Sequence, residues 1–128
     1  MYGKREPSPR PLTEDGWAAN EDFLYGVDLF NGEYFWEAHV YWERLWAIPE
    51  TDPDLRSFLQ ALIQTAAACL KARQGQVAGA KRLLDRARLE DFGAGKLGID
   101  AGALASGARR FVQGETTLSP SISLEKSR

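Results

Sequence analysis

The chain has 128 residues, enough for one domain with a core of its own, and its 44% hydrophobic and 27% charged content matches a water-soluble globular protein. A formal net charge of −2 and an isoelectric point near 5.4 argue against a dedicated nucleic-acid binder, whose contact face is strongly basic. One cysteine, Cys69, excludes an intrachain disulfide and a zinc site of several thiolates, and makes a cytoplasmic location the expectation.

Residues 1–12 hold three of the six prolines and read as an extended N-terminal arm without the apolar core of a signal peptide. Thr13-Glu14-Asp15-Gly16 looks like a helix start, with a capping hydroxyl followed by acids that suit the helix dipole. Trp17, Asn20, Leu24, Val27, Leu29 and Phe30 continue at near-helical spacing, and Asn31-Gly32 supplies residues that tolerate the left-handed stop. A second helix is expected over residues 33–46. Pro49 and Pro53 then break the chain, and Asp52 or Asp54 can cap the next element.

The third helix, residues 54–73, carries the apolar stripe Leu55, Leu59, Leu62, Ile63, Ala66 and Leu70, and Ala66–Ala68 allow close approach of a neighbour. Its longest apolar run is far shorter than the roughly 20 residues of a membrane helix, so no membrane association is expected. Gln74-Gly75-Gln76 is a short turn, which implies an antiparallel hairpin with a fourth helix over residues 77–90. A loop over 91–98 leads to a fifth helix, 101–113, capped by Asp100 and weakened by Gly102 and Gly107. Residues 114–128 read as a flexible C-terminal tail. The expected fold is therefore all-α: a single bundle of about five helices over residues 13–113, built from antiparallel hairpins.

The second helix holds the only histidine and three of the four tryptophans. With His39 as origin, Glu43 lies one turn on, Trp46 two turns on and Phe35 one turn back, with Trp42 beside the stripe. An imidazole and a carboxylate on an aromatic face must be paired or used. Glu37 points roughly opposite His39 and has Arg44 as a candidate partner. Gln60 and Gln64 lie beside the apolar stripe of the third helix and complete the candidate set.

The stretch from Phe30 to His39, followed by Glu43 and Trp46, resembles the uncharacterised prokaryotic family catalogued as domain of unknown function 309. That family shows a glycine and an aromatic pair, then Glu-Ala-His, then a Glu and a Trp four and seven residues on. Leu59 to Ala68 and the hairpin of Gly75, Gly79-Ala80 and Leu83-Leu84 are similar to its next blocks. The resemblance implies a small helical bundle. It assigns no activity, although some members carry a metal-dependent hydrolase label. Many members have a Glu directly after the His, where this chain has Val40, and some have a further histidine near Lys71; both departures weaken an enzymatic reading.

Three readings follow. In the first, His39, Glu43, Trp46 and Gln64 form a buried polar knot in a domain that binds a small molecule or another protein, with Trp42, Gln60 and Glu37 as further binding residues and no cofactor. In the second, His39 and Glu43 act as catalytic acid and base, or as ligands of a divalent metal such as zinc in a small hydrolase. A third protein ligand would then come from Glu21, Asp22, Asp28, Gln60 or Gln64. In the third, the basic hairpin of Lys71, Arg73, Lys81, Arg82, Arg86 and Arg88 meets an anion or RNA, although a solvated helical face explains it more simply and nucleic acid is disfavoured overall. Cys69, among alanines, reads as a buried small residue. Homo-oligomerisation stays open.

Overall fold

The sequence folds as an all-α bundle of five helices with antiparallel neighbours, seen in a computed structural model that describes residues 9–125. The first helix, α1 (Glu21–Asn31), starts later than Thr13. The Thr13 hydroxyl accepts from the Gly16 amide at 2.9 Å, but this closes only a turn, followed by the 3-10 segment Trp17–Ala19. The working cap is Asn20. Its side-chain oxygen accepts from the Phe23 amide at 3.0 Å, Glu21 and Asp22 occupy the first turn, and its amide group donates to the Arg10 carbonyl at 3.1 Å.

At the end of α1 the left-handed residue is not the expected Gly32, which has φ −86°, but Glu33 at φ 70°. A side chain there costs conformational energy. The Glu33 carboxylate accepts from Arg73 of α3 at 2.7 Å, which offsets part of that cost. Two residues later α2 (Phe35–Trp46) begins, and it packs against both α1 and α3.

Asp52 caps α3 (Pro53–Arg73) by accepting from the Asp54 amide at 2.9 Å, and Pro53 sits at the position where a missing N–H costs nothing. The helix buries far more than one stripe: Phe58, Ala61, Thr65, Ala68 and Cys69 join Leu55, Leu59, Leu62 and Ala66. It touches α2, α4 (Val77–Ala87) and α5 (Ala101–Val112), so it is the axis of the bundle. α4 stops at Ala87 rather than residue 90 because Arg88 turns left-handed, at φ 49°. A 3-10 turn, Leu89–Phe92, then buries Leu89. Asp100 caps α5 as expected, accepting from the Ala103 amide at 3.1 Å.

Both termini depart from expectation. Leu12, assigned to the extended arm, is fully buried in the core, while residues 1–8 lie outside the described part. The expected flexible tail is docked as far as Glu125. Asn31 brackets Ile122, accepting from its amide at 2.7 Å and donating to its carbonyl at 2.9 Å, and the Glu125 amide donates to Gly98 O at 2.8 Å. Pro120 and Ile122 are buried. Polar composition suggested a loose end, but one side-chain bracket and two apolar residues fasten it. Among the described residues there is no β-strand, only an isolated bridge between Ala94 and Asp100, and no helix is long and apolar enough to cross a membrane.

Candidate functional site

The buried stripe of α2 is Phe35, Ala38, Trp42 and Leu45. At about 100° per residue its centre lies roughly 80° from His39. His39 therefore occupies the shoulder of the helix rather than its inner face, with 19% of its side chain exposed, and Glu43, at 54%, faces solvent. The pair itself forms, with His39 Nε2 3.4 Å from Glu43 Oε2. His39 Nδ1 is buried and has no hydrogen-bond partner.

The expected knot is thus corrected in its depth and in its membership. Trp46 is 36% exposed, and its ring lies under the Arg56 guanidinium, 5.6 Å from ring centroid to cation. Arg56 also donates to the carbonyls of Trp46, Ile48 and Pro49, so Trp46 and Arg56 together finish the C-terminus of α2. Trp42 is fully buried. Its indole N–H donates to Phe23 O at 3.4 Å, and it stacks at a tilt on Phe30, so it pins α2 to α1 and offers no wall to a ligand. Gln60 and Gln64 line a groove between α3 and the C-terminal end of α4, together with Ser57, Arg86, Arg88 and Phe92, and are not joined to His39. Glu37 is exposed and has no ion-pair partner among the described residues, while Arg44 reaches Asp22 of α1 at 3.8 Å and covers the Tyr41 ring.

The residue that the helical arithmetic left out is Trp36. Its ring lies 5.0 Å from the His39 ring at a 40° tilt, and 58% of the residue is exposed. With Val40, Glu43 and Ala47, all exposed, it makes a second stripe at i, i+4, i+7 and i+11 on the side of α2 away from the core. The signal was present: measured from the centre of the buried stripe instead of from His39, Trp36 falls roughly 140° away.

Among the described residues no three His, Cys, Asp or Glu side chains stand close enough to share a metal ion. Among the described residues Glu21, Asp22 and Asp28 do not join the pair in such a group, and a zinc centre needs at least a third protein ligand. Cys69 is buried, and burial pushes its thiol up to about 12, as suits a packing residue.

These features define a class: a small all-α domain whose second helix is apolar inward, carries a His–Glu pair at its shoulder and exposes Trp36 and Val40 outward. Residues 23–83 match the family described as Domain of unknown function (DUF309), and the chain carries that domain. The matched span holds α2 and α3 entire, and with them His39, Glu43, Gln60 and Gln64. No curated protein and no solved structure matches the chain.

Proposed function

We propose that the chain is a binding domain that docks another protein on the outer face of α2, across Trp36, Val40, Glu43 and Ala47 with His39 at the edge. The observation that carries this reading is that Trp36 and Val40 form an exposed apolar pair on the side of α2 away from the face that the bundle covers. Trp36 and Val40 would supply the apolar centre, and tryptophan is among the residues that dominate contact energies. Glu37 and Glu43, neither tied to a cation by a close hydrogen bond, favour a partner that brings lysine or arginine beside its own apolar residues. The partner is thus read as an amphipathic helix with basic flanks.

His39 would serve this surface as a brace. Its ring supports Trp36, and its Nε2 pairs with the Glu43 carboxylate at the edge of the surface. A photo-crosslinking residue placed at Val40 in the cells that naturally make the protein tests the reading. A discrete protein adduct that forms at Val40, is absent from the same label at Leu118, and disappears on Glu43→Lys is the expected result. Equal labelling from both positions, or none from either, overturns it. A self-adduct with concentration-dependent sedimentation would replace the basic partner by a second copy of the chain.

A further inference from the structure

The other surface that the fold leaves unexplained is the outward side of the α3–α4 hairpin. A groove of about 490 Å³ is lined by Lys71, Gly75, Gln76, Gly79, Arg82 and Arg86. Arg86 also borders the groove of about 400 Å³ that contains Gln60 and Gln64, so the two depressions adjoin. We infer that this double groove binds a phosphorylated small molecule, its phosphate held by Lys71, Arg82 and Arg86 and its body directed toward Gln64 and Gln60.

The cations carry the argument. Arg44, Arg56, Arg73, Arg88, Arg109 and Arg110 each have a carboxylate or carbonyl partner. Arg82 and Arg86 have no hydrogen bond or ion pair with any described residue, although the chain as a whole is acidic. They stand one helical turn apart on α4, where like charges repel, and a bound anion would relieve that repulsion. Lys71 is steered to the same place: its ammonium donates to Gln76 Oε1 at 3.1 Å. Its stem passes over Gly79, where a Cβ would lie 3.3 Å from Lys71 Cδ. Glycine is a poor helix former, and here its absent side chain makes room for the lysine. The first-turn amides of α4 border the same groove and have neither a side-chain cap nor a nearby acid, so their field adds to that of the cations.

Size and lining favour a small ligand over a polynucleotide. Cavities of a few hundred Å³ suit single small molecules. The aromatic residue at the border, Phe92, is committed to Phe58 at 5.0 Å and offers no platform for stacked bases. Guanidinium groups favour phosphate through paired hydrogen bonds, and the two glutamine amides can both donate to and accept from a polar body.

The test is a titration of the full chain with inorganic pyrophosphate, followed by amide chemical shifts at low and high salt. Shifts centred on Gly75 to Gly79 that saturate are expected, with affinity reduced at least about tenfold in the Arg82→Gln/Arg86→Gln double variant. Trp36→Ala should leave the titration unchanged, which separates this site from the α2 face. Absence of saturating shifts, or shifts equal in the double variant, overturns the assignment. So does binding of single-stranded RNA at this groove without binding of pyrophosphate.

Discussion

Gly26→Ala is the sharpest perturbation of the scaffold that sets α2 in place. A Cβ at Gly26 would overlap Trp42 Nε1 and lie 2.6 Å from Cδ1 and 2.9 Å from Cε2. The indole cannot easily retreat, because it donates to Phe23 O and packs on Phe30 within a fully buried core. Overpacking of this kind costs about 1–3 kcal/mol, and contacts this short place it at the upper end. Alanine returns about 1 kcal/mol of helix propensity. The net loss is about 1–2 kcal/mol, or a fall in melting temperature of about 4–8 °C for a domain of this size. Thermal melts followed by circular dichroism measure it. Gly107→Ala is the matched control, since its Cβ would meet Pro120 Cβ at an ordinary 3.5 Å, and it should raise stability by about 0.5–1 kcal/mol. A Gly26→Ala protein that melts at or above the parent temperature would refute the packing of α1 on α2.

Three further outcomes follow from the same geometry. Glu43→Gln should leave the melting temperature within about 2 °C, because an exposed ion pair contributes little, whereas a buried knot would lose several degrees. Asn31→Ala removes both hydrogen bonds to Ile122 and should cost about 1–3 kcal/mol, with hydrogen exchange rising first in residues 120–125. Cys69 should resist alkylation until the domain unfolds. Its thiol sits at about 12 folded against an ordinary 9.0, so the folded state holds the proton longer and the associated stability is intact below pH 9.0. That stability is lost as pH rises from 9.0 toward 12; labelling of native protein as fast as of unfolded protein would contradict the burial.

The helices were legible because their boundaries are written in local chemistry: Asp52-Pro53 opens α3, Asp100 caps α5, and Gln74-Gly75-Gln76 folds the α3–α4 hairpin. Boundary errors arose where two local signals competed. Thr13 and Asn20 both offer a capping oxygen followed by two acids, but Thr13 closes only a turn onto Gly16, and the helix starts where Asn20 accepts from Phe23. The docked segment after α5 was invisible because its anchor, Asn31, is 91 residues away in sequence.

The site was legible only in part, for a reason specific to α2. A helix that is aromatic on two sides gives no clear direction from its large residues. The deciding inward residue is Ala38, fully buried but small. Taking His39 as the origin placed the imidazole and Glu43 under the indoles. The structure keeps the pair, turns it to the shoulder, and puts Trp36 outside with it. Gln64 was assigned to the wrong neighbour because side-chain spacing on α3 cannot reveal which helix lies beside each face, and here that helix is α4.

The account depends on Trp36 serving contact and not folding. Crosslinking from Val40 in a Trp36→Ala background, once the melting temperature of that variant has been measured, asks this directly. The account predicts a melting temperature within about 2 °C of the parent, as for an exposed side chain, together with loss of the Val40 adduct. An adduct of undiminished yield, or a variant that no longer folds, would contradict it.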